Sequence, residues 1–173
     1  HRLRGPDGGL YTVDWDAERL EDCRRGAYGG DGLTMAADYY AEVRRMAELR
    51  PTILGHIDLV TKFNEDGGFF DETDSRYRAA ALGALHGADP KETLLEINTG
   101  AMSRGYRSAP YPALFLLREW RAMGGKIILT ADAHSAETVV FGYDQAAELA
   151  RAAGYERSVI LTQGGREERP LEF

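Results

Sequence analysis

The sequence predicts an α/β fold built on parallel strands, and three observations carry that prediction. Short apolar runs alternate with amphipathic stretches of ten or more residues, the pattern of βα units. Three of the four runs lead directly into His, Asp or Asn residues, as strand ends do in folds that gather a site on one face. The chain is 173 residues long with 43% hydrophobic and 28% charged residues, enough to bury a core as one domain.

Each element has its own signal. Residues 1–32 hold seven glycines and little periodicity, so they read as a long loop with a short helical stretch at Ala17–Arg25. From Thr34 to Leu49 the apolar positions Met35, Tyr39, Tyr40, Val43, Met46 and Leu49 recur at helical spacing, and Pro51 ends the helix. TILGHI (52–57) reads as a buried strand. Asp74 can cap a helix running to about Ala88, before Asp89-Pro90. TLLEI (93–97) is strand-like, and Pro112 to Met123 is an amphipathic helix closed by Gly124-Gly125. KIILT (126–130) is a strand, Asp144 to Ala153 a helix, and SVILT (158–162) the last strand.

Composition excludes several classes. No apolar run reaches the 18 to 20 or so residues of a membrane span. The start, HRLRGPDGG, lacks the apolar core of a secretory signal, and the single Cys23 has no internal disulfide partner; both fit a cytoplasmic protein. A formal charge of −7 without a Lys/Arg block disfavours nucleic acid as a partner. An acidic chain can still take a phosphate ester where metal ions supply positive charge. The sequence does not begin with Met and opens in loop-like residues, which predicts that something upstream has been removed.

The polar residues at the strand ends are the candidate site. Asp132 and His134 follow KIILT at i and i+2, so a carboxylate and an imidazole can approach one ion. The alternative is a turn-forming Asp beside a solvent-facing His. His56 and Asp58 follow TILG, where a core histidine is the simpler reading of His56 taken alone. Glu96 lies within an apolar strand, either partnered or facing outward, and Asn98 follows it. The Gly-rich stretch from Thr99 to Arg107 carries Arg104 and Arg107, whose guanidinium groups match phosphate oxygens. His86, inside a helix in an Ala-rich context, reads as structural or surface.

GHIDLVTKFNED (55–66), LEINTGAMSRGYRSAPYP (95–112) and TADAH (130–134) together resemble the histidinol-phosphate phosphatases of the PHP superfamily. The resemblance runs from the first residues to about Gly154. It implies a distorted (β/α)7 barrel with up to three divalent metal ions, zinc, iron or manganese, at the C-terminal strand ends. It also implies hydrolysis of L-histidinol phosphate, a small phosphomonoester, by a metal-activated hydroxide. By position, the family's metal ligands fall on His56, Asp132 and His134. A further ligand falls on His1, ahead of Val13-Asp14, unless His1 is a purification-tag remnant. Arg104, then Arg107 and Asn98, would contact substrate, with Glu96 and Asp58 supporting the ligands.

The family's upstream His-x-His, a further His and a bridging Glu have no counterpart in this chain. With four strands at most where the barrel has seven, residues 1–173 are expected to be the C-terminal part of a single PHP-type domain. Other PHP substrates, including nucleic-acid phosphodiesters, and a degenerate non-catalytic module are the competing readings.

Overall fold

The computed structural model describes residues 1–172. Its first 32 residues are more ordered than their glycine content predicts. Strands β1 (Arg2–Arg4) and β2 (Leu10–Thr12) form an antiparallel ribbon in which Leu3 faces Tyr11. Asp7 shapes the turn by accepting from the Gly9 N–H at 2.9 Å and from the Tyr11 hydroxyl at 2.6 Å. Only Leu3 and Val13 anchor the ribbon in the core, too few positions for a strand period to be visible. Helix α1 (Ala17–Tyr28) buries Leu20, Cys23 and Tyr28; Asp16 caps its start by accepting from the Arg19 N–H.

Helix α2 (Gly32–Ala47) follows, capped by Asp31. It buries Met35, Ala36, Tyr39, Tyr40 and Ala47, but Met46 and Leu49 of the predicted stripe are 62% and 77% exposed. Strand β3 is only Ile53–Leu54, shorter than expected because the backbone leaves the extended region at His56, with φ 28°. Helix α3 (Ser75–Leu85) is capped by Asp74, as the sequence predicts. Strand β4 (Leu94–Asn98), a single turn α4 (Gly100–Ser103), helix α5 (Leu114–Ala122), strand β5 (Lys126–Thr130), helix α6 (Tyr143–Ala152) and strand β6 (Arg157–Thr162) then alternate.

The sheet order is β3-β4-β5-β6-β7, with the first four strands parallel. Strand β7 (Gly165–Pro170) returns antiparallel to β6. Its sequence, GREERP, has no apolar alternation to mark it. Among the described residues the order is linear, with β3 and β7 at the edges. The fold is thus α/β with a mostly parallel sheet, and these residues do not close it into a barrel.

One face of the sheet packs Leu95, Ile97 and Ile127 into a core with Leu116, Leu117 and Trp120 of α5 and Ala146, Ala147 and Ala150 of α6. Trp120 is wholly buried and donates its indole N–H to the Lys126 carbonyl at 2.9 Å. Truncating a side chain of this kind costs about 3–5 kcal/mol. The other face carries a small cluster of Leu94, Ile128 and Val159, with Ile53 against it. Glu96 alternates onto that second face between Leu94 and Asn98. No helix among the described residues is long and apolar enough to cross a membrane.

Candidate active site

The C-terminal ends of β3, β4 and β5 are joined by one carboxylate. Glu96 accepts from the His56 backbone N–H at 2.7 Å and from the Thr130 hydroxyl at 2.7 Å. It is partnered, so its place in an apolar strand is physically reasonable. A side chain at Gly55 would press on it, since a Cβ there would lie 3.1 Å from Oε2. Glu96 therefore fixes where His56 leaves its strand.

Among the described residues, His56 and Asp132, at φ 28° and 46°, are two of the three non-glycine residues with positive φ; Arg50 is the other. Such backbone costs on the order of 1–3 kcal/mol and persists where surrounding contacts over-determine it. For His56 that contact is Glu96. At Asp132, Arg104 donates to the backbone carbonyl at 3.1 Å and to the carboxylate at 2.9 Å. The approach is close enough that a Cβ on Gly100 would lie 2.8 Å from the Arg104 guanidinium and 2.9 Å from Asp132. Because Asp132 has left extended backbone, the same-side argument for i and i+2 does not apply. His134 is instead an exposed side chain whose Nε2 lies 3.7 Å from the Asp132 carboxylate.

The ribbon brings His1 to the same face. Its Nδ1 lies 2.6 Å from the Asp14 carboxylate, and its ring stands perpendicular to that of His56 with centroids 4.7 Å apart. Asn98 is buried and accepts from the Gly100 N–H at 2.8 Å, so its side chain shapes the turn that presents Arg104.

Arg107 lies elsewhere. It pairs with Glu65 at 3.0 Å and Glu72 at 3.1 Å and donates to the Thr61 carbonyl. Burial works against its charge, but the Glu72 hydrogen bond and the two carboxylates raise its pKa above the usual arginine value. Asp58 is 2% exposed; one oxygen accepts from the Ala113 N–H at 2.8 Å and the other has no partner. Burial pushes its pKa up to about 6. His86 pairs with Glu119 on the surface at 2.7 Å, in keeping with a surface role.

No family model matches the chain, and no curated protein matches it significantly. Solved structures do match, among them hisK of Listeria monocytogenes, provisionally designated a histidinol phosphatase. The two share 22% identity at a TM-score of 0.72, over 83% of this chain and 54% of that one.

The two share a fold.

The chain spans about half the length of that structure, and at this identity the likeness speaks for architecture alone. The resemblance of the sequence to PHP phosphatases raises the question of metal ions, and the donor types here (imidazole and carboxylate) suit them. Their arrangement is another matter. His1 with Asp14, His1 with His56, and Asp132 with His134 are pairs, and no group of three or more His, Cys, Asp or Glu side chains among the described residues is placed to hold an ion. As arranged, these residues do not by themselves fit a metal centre.

Two neighbours of the site went unmarked in the sequence. Asp14, noted only as part of Val13-Asp14, is the partner of His1. Lys62 donates to the Asp14 carbonyl at 2.5 Å and lies over the rings of Phe63 and Tyr106. Burial lowers its pKa, with Asp14 opposing.

Proposed function

We propose that the chain is the C-terminal part of a PHP-type, metal-dependent phosphomonoesterase that hydrolyses L-histidinol phosphate to histidinol and phosphate in cytoplasmic histidine biosynthesis. The observation that carries this reading is that His56, with His1 against it, and Asp132, with the cationic Arg104, leave the C-terminal ends of parallel strands β3 and β5, which Glu96 of β4 joins. The likeness to a provisionally designated histidinol phosphatase supports it.

The domain reading has physical support. Strand β3 is an edge strand, and beside it runs an apolar groove lined by His1, Val43, Met46, Ile53 and His56. Exposed Met46 and Leu49 flank that edge. Further strands of a distorted (β/α)7 barrel would cover this surface and satisfy the open edge. The metal donors that the pairs lack would come from the same additional sequence, and zinc, iron or manganese would suit them.

What these residues do can be stated. Arg104 holds Asp132 through two hydrogen bonds and is 30% exposed, so it can exchange Asp132 for phosphate oxygens without crossing the core. Glu96 keeps His56 in place. Arg107, spent on two carboxylates, is kept in the reading as a support for the substrate loop. The substrate is a small monoester rather than nucleic acid, because a net charge of −7 repels a polyanion.

A second reading, a degenerate PHP module that binds without catalysis, is favoured by one observation: the donors form pairs only. The test is phosphate release from L-histidinol phosphate, p-nitrophenyl phosphate and a bis-nitrophenyl diester. It uses the longest polypeptide containing this sequence, with zinc, iron or manganese supplied. Turnover of the monoesters, reduced at least about a hundredfold by Asp132→Ala, is expected. Release from the diester alone redirects the substrate assignment, and no release with any metal sinks the enzymatic reading.

A further inference from the structure

Thr99 is wholly buried where strand β4 gives way to the turn α4. Its hydroxyl donates to the Phe141 carbonyl at 2.6 Å, and its N–H donates to the Thr130 carbonyl at 3.1 Å. Its own carbonyl accepts from the Met102 and Ser103 N–H groups, which closes the turn that ends in Arg104. Gly142 passes so near that a Cβ there would lie 3.3 Å from the Thr99 side chain.

Phe141 lies at the far end of the segment 131–142, which carries Asp132 and His134 near its start. Burial does little to hold this segment, since His134, Val139, Val140 and Phe141 are all exposed. Most of its hydrogen bonds run within it or begin helix α6. Among the described residues, only two others hydrogen-bond to it: Arg104 at Asp132 and Thr99 at Phe141. Both belong to one turn, so a single turn clamps the segment at two points. An exposed segment held by so few ties opens locally once they are lost.

The two ties differ in kind. Arg104 is charged and accessible, so an anion can draw it away from Asp132. The Thr99 bond is neutral and made by a buried hydroxyl, so an anion does not compete for it. Were Arg104 the sole tie, each phosphate it captured would free Asp132 and His134 to leave the site.

We propose that Thr99 is a positioning residue: its hydroxyl holds the segment that carries Asp132 and His134 in place while Arg104 leaves Asp132 for a phosphate. This rests on the phosphate-binding reading of Arg104 and adds how the site stays assembled when that arginine changes partners.

The test is amide hydrogen exchange of residues 136–142, followed by mass spectrometry on the longest polypeptide containing this sequence. Wild type is compared with Thr99→Val, Thr99→Ser, Arg104→Ala and the double variant Thr99→Val/Arg104→Ala. Val keeps the shape of Thr99 and its backbone bonds, and Ser keeps the hydroxyl. Thr99→Val and Arg104→Ala each leave one tie and should speed exchange by no more than about fivefold. The double variant should exceed the product of those two effects by at least about tenfold, and Thr99→Ser should stay within about twofold of wild type. Saturating inorganic phosphate should act as Arg104→Ala does, speeding exchange in Thr99→Val and not in wild type. Single effects that merely multiply in the double variant, or a Thr99→Ser that exchanges as fast as Thr99→Val, overturn the proposal. If the double variant releases the segment but phosphate leaves Thr99→Val unchanged, the tie through Thr99 is supported and the phosphate reading of Arg104 is overturned. If Thr99→Val does not fold, Arg104→Ala decides: a segment still protected supports the tie, and lost protection overturns it.

Discussion

Arg104 and Arg107 leave the same Gly-rich segment three residues apart and enter opposite kinds of environment. Arg107 belongs to a closed cluster. Its side chain is 17% exposed and answers to Glu65, Glu72 and the Thr61 carbonyl, with buried Asp58 close enough for each charge to affect the other. Arg104 belongs to an open one, where its only carboxylate partner among the described residues, Asp132, is 41% exposed and continues to His134 at the surface. A buried, multiply paired arginine holds a loop in place, because releasing it strands carboxylates. A singly paired, solvent-accessible arginine can change partners at little cost. The fold thus uses one arginine as a tether and offers the other for chemistry.

The strongest way to break this contrast is through Asp58, the most buried charge of the closed cluster. Its carboxyl has an ordinary value of 3.8 and is raised to about 6 in the folded chain by burial. Below about pH 4 it is protonated folded and unfolded alike. Between about pH 4 and 6 the folded state holds a proton that the unfolded state releases, so its contribution to stability falls as pH rises through that window. Compared with Asp58→Asn, whose amide does not titrate, wild type should lose roughly 2–3 kcal/mol between pH 4 and 7. Thermal unfolding of the pair across that range checks it. Parallel curves would mean that water reaches Asp58 and that the cluster is not closed.

The second test removes the tether. Arg107→Ala leaves Glu65 and Glu72 without their cation and frees the Thr61 carbonyl. Breaking a fully buried pair costs about 3–5 kcal/mol; with both carboxylates partly exposed, roughly 2 kcal/mol is expected. Denaturant unfolding measures this, and Arg107→Lys should recover only part of it, because an ammonium cannot reproduce the two-sided fork. A variant as stable as wild type but defective in phosphate binding would reverse the roles assigned to the two arginines.

The difference between these arginines was invisible in the sequence for a physical reason. Their partners are distant: Glu72 and Glu65 lie 35 and 42 positions before Arg107, and Asp132 lies 28 positions after Arg104. What was legible is what local pattern encodes. KIILT is a strand at its predicted bounds, Asp74 caps its helix, and the βα alternation yields four parallel strands. The residues after TILG and KIILT do reach a common face. The ribbon β1-β2 and the strand β7 were missed because neither carries alternating apolar residues; the one is held by Leu3 and Val13, the other by backbone pairing to β6. Positive φ at His56 likewise accompanies a tertiary contact with Glu96, which no local propensity records.

The smallest expected effect is the most informative about the open cluster. Arg104→Ala removes two hydrogen bonds to Asp132, yet the pair is exposed enough that solvent replaces most of what is lost, so stability should change by no more than about 0.5 kcal/mol. Phosphate affinity should respond more, because a charge-assisted fork to phosphate oxygens is replaced by water: KM for a phosphomonoester should rise about tenfold, with a smaller change in kcat. The two measurements together separate substrate binding from scaffolding. If stability falls by 2 kcal/mol and KM is unchanged, Arg104 is a second tether that holds Asp132 in its left-handed backbone, and the phosphate must be bound elsewhere. If KM alone moves, the arginine that was free to exchange partners is the one that meets the substrate, and the φ of Asp132 is maintained by the chain around it.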